Sequence, residues 1–300
     1  MSILVVGSVA LDSVDTPFGN VEDVPGGSAT YFAISASFFA PVNLVAVVGE
    51  DFPEEYKSIF ERHRINIKGL EIVKGRTFKW KGKYGYDLND PETIYTHLNV
   101  FNSFSPRIPP EYKRSDVVFL ANIDPELQLY VMKQVDAPKL TACDTMSYWI
   151  KNKKKELLQL LHNVDLFLLN ESEIRELTGE SNLFKAGKAI LALGPKKVII
   201  KKGEDGVILF SHNSVFSTPA YLLETINDPT GAGDAFAGGL IGYLRKSGRF
   251  FSDSEIRKGI VYGTIMASYV VEDFSIRKLN SLSYSDIQKR YHDYKRLTRY

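Results

Sequence analysis

The sequence predicts an α/β fold with a mostly parallel central sheet between two layers of helices. Short apolar runs alternate along the chain with longer segments of helical periodicity, which is the pattern of repeated strand–helix–strand units. The apolar runs are nearly continuous and are mostly bounded by Gly, Pro, Asn or Asp, as expected for strands buried on both faces. The length of 300 residues fits one such domain with an inserted segment.

The individual elements follow from these patterns in chain order. The predicted buried strands are Ile3–Val6, Leu44–Val48, Val117–Leu120, Leu140–Cys143, Leu166–Leu169 and Val198–Ile200. The predicted helices are Ser28–Phe39, Pro53–His63, Pro125–Val135, Ile150–Leu161, Glu171–Thr178 and Leu183–Leu193. Because ligands of parallel sheets bind beyond the carboxyl ends of the strands, the residues that follow each strand are the first candidates for chemistry.

One segment departs from this alternation. Between Thr77 and Tyr86 a period of two predicts a half-buried strand, with aromatic residues on one face and lysines on the other: Phe78, Trp80, Tyr84 and Tyr86 against Lys79, Lys81 and Lys83. Asn89–Pro91 predicts a turn, and Glu92–Val100 predicts a second strand. We therefore expect a small β lid, formed by segments of about 13–24 and 75–101, within a single domain of residues 1–300.

The predicted lid has two interpretations. Its aromatic face closes over a substrate, or it packs on the main sheet or on a partner subunit. Dimerisation through the lid is compatible with both, so the sequence leaves a monomer and a lid-mediated homodimer open.

Composition and charge exclude several classes of protein. Apolar residues make up 44% and charged residues 24% of the chain, an ordinary globular composition without a long apolar run that would predict a membrane span. With 37 basic and 36 acidic residues, the net charge of +1 argues against a general nucleic-acid or membrane-surface binder. The single cysteine, Cys143, excludes intramolecular disulfides and multi-cysteine metal sites. The N-terminus lacks the charged region of a signal peptide, so we expect a cytoplasmic protein.

The strongest chemical signal is the run Asp-Pro-Thr-Gly-Ala-Gly-Asp from Asp228 to Asp234, which precedes a predicted helix from about Ala232 to Leu244. Small residues at a helix N-terminus let an anion approach free backbone N–H groups at the positive end of the helix dipole. A carboxylate beside such an anion hole makes sense if Asp234 accepts a proton from an attacking hydroxyl. The alternative is that Asp234 only stabilises the helix dipole.

These seven residues resemble the signature of the ribokinase-like (PfkB) family of carbohydrate and nucleoside kinases. Further motifs resemble the family in the family order, along nearly the whole chain: Gly7–Asp12, Pro25–Thr30, Asn170–Glu173 and Lys201–Gly206. The resemblance implies a ribokinase-like three-layer α/β/α fold with a small β lid. It also implies an ATP- and Mg²⁺-dependent enzyme that phosphorylates a primary hydroxymethyl group of a nucleoside or sugar.

The resemblance also assigns catalytic roles. Asp234 is expected to be the general base, and the backbone of Gly231, Ala232 and Gly233 is expected to form the anion hole for the transferring phosphoryl group. Asn170 and Glu173 are expected to hold Mg²⁺, partly through water, because that cation keeps several waters and takes few protein oxygens.

Binding roles follow from the remaining motifs. The residues expected to bind the nucleotide are Asn170, Lys202, Gly203, Gly206 and Thr230, and those expected to bind the acceptor are Asp12, Gly26, Gly27 and Tyr31. Asp228 and Thr230 match positions that help to bind potassium in ribokinases. The loop Val271–Ser275 lacks the glycine of that site, so activation by a monovalent cation is left open.

Two features bear on the acceptor. Tyr31 stands where family members often carry an Asn that bonds a sugar hydroxyl, and Gly26-Gly27-Ser28 is nearer to the adenosine-kinase form of the motif. A nucleoside base also favours an aromatic platform, which the lid supplies. We therefore expect a nucleoside in preference to a free sugar such as ribose or a ketohexose, with vitamin-type acceptors third.

Two alternatives belong to other classes. One is a non-catalytic protein that binds a nucleotide or sugar. The other is an NAD-dependent oxidoreductase, against which the absence of Gly-x-Gly-x-x-Gly after the first strand counts.

Overall fold

The computed structural model describes residues 2–88 and 91–299. Its strands are β1 (Ile3–Val6), β2 (Ala10–Thr16), β3 (Gly19–Gly26), β4 (Val42–Gly49), β5 (Asn66–Val73), β6 (Phe78–Lys83), β7 (Glu92–His97), β8 (Val117–Leu120), β9 (Leu140–Cys143), β10 (Leu166–Asn170), β11 (Lys197–Lys201), β12 (Val207–Ser211) and β13 (Val215–Thr218). Its α-helices are α1 (Ser28–Ser37), α2 (Glu54–Arg62), α3 (Pro125–Met132), α4 (Ser147–Asn152), α5 (Lys154–Leu161), α6 (Glu171–Thr178), α7 (Leu183–Leu191), α8 (Ala232–Ser247), α9 (Asp253–Val270), α10 (Arg277–Ser281) and α11 (Tyr284–Leu297).

Nine of the described strands form the central sheet, in the order β13-β12-β11-β10-β9-β8-β1-β4-β5. Strands β5 to β11 of that order pair in parallel, and β12 and β13 form an antiparallel edge. The prediction of a mostly parallel sheet is therefore confirmed. None of the described helices is long and apolar enough to cross a membrane.

Strand β1 shows why the fold has three layers. Ile3 and Val5 pack into the apolar cluster that contains α1, α8 and α9, whereas Leu4 and Val6 pack into the cluster on the opposite face with α5 and α6. Because successive side chains of a strand point to opposite faces, a continuous apolar strand needs a helical layer on each side.

One predicted helix is wrong in its extent. The segment Ile150–Leu161 consists of two helices, α4 and α5, which are separated at Lys153, where the backbone has φ −135° and ψ 33°. Ion pairs join the Lys153 ammonium to Asp124 and Glu126 at the start of α3. Periodicity did not predict this break because the apolar residues of both helices face the same core.

Strands β3, β2, β6 and β7 form a second sheet in that order. Asp12, predicted to follow a strand, lies within β2, where it pairs with Trp80 of β6. The side chains of these two residues therefore project from the same face of the sheet. On the other face, Lys79 forms an ion pair with Asp23 at 2.5 Å.

The two strands predicted between Thr77 and Val100 are shorter than their pattern suggested. A bulge between Lys81 and Gly82 interrupts the period of two, and β6 ends at Lys83. The predicted strand Glu92–Val100 ends at His97 and is followed by a 3₁₀ helix over Asn99–Ser103. The turn predicted at Asn89–Pro91 begins with residues outside the described part of the chain.

The four aromatic residues of this segment have different environments, although Phe78 and Trp80 share one face of the sheet. Phe78 stacks on Phe101 with 5.3 Å between ring centroids. Tyr84 is buried in the apolar cluster of the second sheet, and Trp80 packs at its margin. Tyr86, which follows the strand, is 85% exposed. Closure of this sheet over a substrate stays a prediction.

Candidate active site

The start of α8 has the geometry of an anion-binding site. Gly231 precedes the helix with φ +76°, and among the described residues neither the N–H of Gly233 nor that of Asp234 has a hydrogen-bond acceptor. A Cβ at Gly231 would collide with the ring of Tyr31. Glycine is thus required at position 231 both by the left-handed backbone and by the space that the ring fills.

Tyr31 is the clearest correction to the predicted site. Its side chain is only 1% exposed, packs beneath Gly231 and lies beside Ser275. Burial raises the pKa of its hydroxyl well above the usual range. Tyr31 therefore supports the loop that leads into α8, and its buried ring does not match the acceptor-binding role predicted for it.

Asp234 lies in the first turn of α8, where we predicted it. Burial raises the pKa of its carboxyl well above the usual range, and the charges of Asp144, Asp12 and Glu173 add to this effect. The ammonium of Lys201 opposes it. A carboxylate with a raised pKa is a stronger proton acceptor than an ordinary aspartate, which suits a general base.

Asp12 reaches the same region from the second sheet and is 5% exposed. Its Oδ2 accepts a hydrogen bond from the N–H of Gly27 at 3.2 Å, and its carboxylate covers Gly26 so closely that a Cβ there would collide with it. Burial raises its pKa from 3.8 to about 7, despite the bond from Gly27, and the charge of Asp228 adds to the rise. The structure thus brings together three predicted acceptor-binding residues.

Asp228 joins the loops on either side of this region. Its carboxylate accepts the N–H groups of Thr230 at 2.9 Å and Ser275 at 3.3 Å, and the Thr230 hydroxyl donates to Tyr84 Oη at 3.2 Å. Burial raises the pKa of Asp228. These bonds give both residues a structural role, and the potassium ion expected beside them stays a prediction.

Asn170 and Glu173 form a capping box at the junction of β10 and α6. Asn170 Oδ1 accepts the N–H of Glu173 at 2.8 Å, and Glu173 Oε2 accepts the N–H of Asn170 at 2.7 Å. Carboxylate and amide oxygens are the donors that Mg²⁺ prefers, but no cluster of three or more acidic, His or Cys ligands occurs within residues 2–88 and 91–299. One carboxylate and one amide suit Mg²⁺ only if water and the donor phosphates complete its coordination, and a hydrated Mg²⁺ at this pair stays a prediction.

Lys201 and Asp144 are the residues that sequence reasoning missed. The Lys201 ammonium contacts Asp144 Oδ2 at 2.6 Å, and it would lie 3.1 Å from a Cβ at Gly233. The available signal was that β9 ends just before Asp144 and β11 ends at Lys201, with β10 between them, because carboxyl ends of parallel strands share one edge of the sheet. The sequence predicts a nucleotide contact for Lys202, but the ammonium of Lys202 is 3.6 Å from Asp205 instead.

A cavity of about 650 Å³ adjoins the start of α8. Its lining includes Lys201, Gly203, Gly206, Gly233 and Thr264, and residues of the second sheet also reach it at the turns that contain Phe18 and Tyr86. The predicted nucleotide residues Asn170, Lys202 and Thr230 are not among its lining residues. A volume of this size is ordinary for a small-molecule or cofactor site.

The sequence comparison agrees with this geometry. A profile of the pfkB family of carbohydrate kinases matches residues 2–278. The chain belongs to this family. Cytidine kinase from Thermococcus kodakarensis is 32% identical over 251 residues, which are 82% of this chain and 89% of the relative. Nucleoside kinase from Thermoplasma acidophilum is 27% identical over 289 residues, 93% of this chain and 89% of the relative. Fructokinase-2 from Oryza sativa matches over 100 residues at 31% identity, 33% of this chain and 30% of that enzyme.

Solved structures share the fold of this pfkB kinase over almost its whole length. Nucleoside kinase from Methanocaldococcus jannaschii superposes with a TM-score of 0.77 at 20% identity, over 97% of this chain and 98% of the other. The Burkholderia thailandensis nucleoside kinase in complex with inosine has a TM-score of 0.77 at 16% identity, over 97% and 98% of the chains. A putative ribokinase II from E. coli in complex with ATP and Mg²⁺ has a TM-score of 0.79 at 18% identity, over 97% and 99%.

These findings confirm the ribokinase-like fold and identify the protein as a phosphotransferase of the sugar and nucleoside kinase type. The oxidoreductase and the non-catalytic binding protein are thereby set aside.

Proposed function

We propose that this kinase transfers the γ-phosphoryl group of ATP to the 5′-hydroxyl of a nucleoside, with Asp234 as the general base. The observation that carries the proposal is the position of Asp234. Its carboxylate stands in the first turn of α8, beside N–H groups without acceptors in the described chain and within electrostatic reach of Asp12. An acid in this position repels a phosphate, so its function must lie with the group that attacks the phosphate.

The chain's own groups account for the transfer. Asp12 and the backbone at Gly26 and Gly27 would hold hydroxyl groups of the acceptor, since a carboxylate accepts two such bonds. Asp234 would take the proton of the acceptor's attacking hydroxyl. The hydroxyl oxygen would then bond to the γ-phosphorus while the bond between that phosphorus and the ADP oxygen breaks. The N–H groups of Gly233 and Asp234 would stabilise the charge on the transferring group, whereas the N–H of Ala232, predicted to join them, donates to the carbonyl of Pro229 at 3.1 Å.

The metal has a limited part in this scheme. Mg²⁺ bound near Asn170 and Glu173 would neutralise charge on the donor phosphates and orient them. A monovalent cation beside Asp228 and Thr230 is likewise only an expectation from the resemblance to the family.

Two observations support a nucleoside acceptor. The relatives that match over most of both chains are named cytidine and nucleoside kinases, whereas the fructokinase matches over about a third. In addition, Trp80 shares its face of the second sheet with Asp12, and its indole lies over Gly82 of that sheet. Stacking on such a ring contributes about 1–3 kcal/mol for a nucleobase.

A free-sugar acceptor is the second candidate, and it has a specific observation in its favour. Phe78 and Tyr84 are engaged in packing with other side chains, which reduces the aromatic surface available to a base. The distinguishing experiment measures Mg·ATP-dependent ADP release with adenosine, guanosine, inosine, cytidine, ribose and fructose. Turnover with a nucleoside supports the proposal, and turnover with free sugars alone contradicts the nucleoside assignment.

Asp234→Asn tests the general base. We expect kcat to fall by about 10²–10⁴-fold with nucleotide binding retained. The matched control is Asp286→Asn, because Asp286 occupies the corresponding third position of α11. If Asp234 only stabilised the helix dipole, both variants would lose stability and keep their kcat. Full kcat in Asp234→Asn would therefore overturn the assignment of Asp234 as the general base.

A further inference from the structure

Lys201 forms an ion pair at the carboxyl edge of the central sheet that the resemblance to the family did not predict. Its ammonium contacts Asp144 Oδ2 at 2.6 Å, and the two side chains are only 18% and 4% exposed. The pair joins the ends of β9 and β11 across β10. Placing two charges in such a site costs desolvation free energy that their attraction does not reliably recover. Stability alone is therefore a weak reason for this pair.

The position of the ammonium relative to α8 is the decisive observation. Lys201 Nζ lies 3.1 Å from where a Cβ of Gly233 would be, so it faces the first turn of the helix. In that turn the N–H groups of Gly233 and Asp234 have no acceptor within the described residues. A helix N-terminus carries partial positive charge, so its free N–H groups and the facing ammonium can together hold an anion between them.

Lys201 also lines the cavity next to α8 together with Gly203, Gly206 and Ala232. An anion between the helix N-terminus and the ammonium would therefore lie within the same cavity as the rest of a bound nucleotide. Its neighbour Lys202, paired with Asp205, does not line the cavity. Of the two adjacent lysines, Lys201 is thus the one that can reach a phosphate.

We propose that Lys201 is a catalytic residue whose ammonium binds the phosphoryl group during its transfer, and that Asp144 positions it. The inference rests on the proposed function and deepens it, because it names the side-chain cation that joins the backbone N–H groups of Gly233 and Asp234. Asp144 keeps the flexible lysine chain directed at Gly233 before the donor binds. If the ammonium turned to solvent, the Asp144 carboxylate would stay buried without a counter-ion.

Lys201 has a second effect on the same reaction. The charges that act on Asp234 are those of Asp144, Asp12 and Glu173, which raise its pKa, and that of Lys201, which lowers it. Removing Lys201 should therefore move the acid limb of the pH profile of kcat, which reports the protonation of Asp234, to higher pH. Removing the Asp144 charge should move it to lower pH.

The experiment compares Lys201→Met, Asp144→Asn and the double variant with the unchanged enzyme. The matched control is Lys197→Met, because Lys197 begins the same strand and forms an equally short 2.6 Å ion pair with Asp253, at the opposite end of β11. We expect Lys201→Met to lose about 10²–10³-fold in kcat, the usual effect of removing one donor to the transition state. Lys197→Met should keep its kcat even where it loses stability.

The double variant separates phosphate binding from charge neutralisation. If Lys201 only balances Asp144, removing both charges restores activity and returns the acid limb to its original position. If Lys201 binds the phosphoryl group, the double variant regains the pH profile but not kcat. Recovery of kcat in the double variant would therefore overturn the inference.

Binding gives a readout that is independent of turnover. We expect Lys201→Met to weaken binding of the non-hydrolysable triphosphate analogue AMP-PNP by about 10- to 100-fold, as for loss of a charged hydrogen bond, and to leave AMP binding unchanged. Equal loss for both ligands would contradict a contact to the transferring phosphate.

The two proposals fail in distinguishable ways. Absence of turnover with every nucleoside, together with selective loss of AMP-PNP binding in Lys201→Met, would refute the acceptor and support the phosphate contact. Nucleoside turnover that is undiminished in the double variant would support the proposed function and refute the role of Lys201.

Discussion

Replacing Asp12 by Asn should stabilise the protein without ligands at pH 8 and have no such effect below pH 4. The carboxylate is 5% exposed, and burial raises its pKa from 3.8 to about 7. Well below pH 3.8 Asp12 is protonated in the folded and the unfolded protein, so it contributes no pH-dependent term. Between pH 4 and 7 the unfolded chain releases this proton and the folded protein retains it, so the stability of the folded state falls as the pH rises.

The structure sets the size of this effect. A pKa that changes from 3.8 to about 7 corresponds to at most about 4 kcal/mol, and this cost is complete once the pH exceeds 7. Asn at position 12 keeps an oxygen that can accept the N–H of Gly27 and carries no charge. The variant therefore avoids the desolvation cost and retains the hydrogen bond.

The assay is urea unfolding of both proteins without ligands at several pH values from 4 to 8.5. We expect the difference in the free energy of unfolding to grow from near zero at pH 4 to a few kcal/mol in favour of Asp12→Asn above pH 7. The control Asp286→Asn should show the opposite sign, because hydrogen bonds from Ser283 lower the pKa of that carboxyl. Equal stability of Asp12→Asn and the unchanged protein at pH 8 would refute the argument.

Two further substitutions test the lid and the anion hole. Trp80→Ala should raise KM for the acceptor several-fold more than KM for ATP, because Trp80 shares a face with Asp12. The control Tyr95→Ala, on the opposite face of the same sheet, should change neither constant. Equal effects of Trp80→Ala on both constants would favour plain packing. Gly231→Ala should lower Tm and reduce kcat at least about 10-fold, because the added methyl group meets the ring of Tyr31. Gly179→Ala, at φ +73° with open space around it, measures the backbone cost alone, and an equal loss of activity in both variants would contradict the steric argument.

The paired carboxylates of the site explain why such stabilising substitutions should exist. Asp12 and Asp234 both have raised pKa values because they are buried near other acids. Catalysis needs the negative charges of Asp12 and Asp234, but burying those charges destabilises the folded protein. A trade-off between stability and activity of this kind is expected where binding groups are held out of water before the ligand arrives.

The local features of this protein could be predicted from the sequence. The alternation of apolar runs and helical segments predicted β1, β8 and β9 with their observed bounds, since a strand buried on both faces leaves a continuous apolar run. The run from Asp228 to Asp234 predicted the start of α8, because a glycine before a helix and an acid in its first turn are local requirements. Such features depend on residues a few positions apart.

Only the tertiary structure decided which side chains meet at the site. Lys201 and Asp144 are 57 positions apart in the chain, and sheet order brings them together. Adjacent residues at a strand end point in different directions, so the sequence could not tell that Lys201, and not Lys202, faces the helix. Tyr31 was likewise identified as a support of Gly231 only by the packing of α1 against α8, because burial is a property of the assembled layers and not of the residue type.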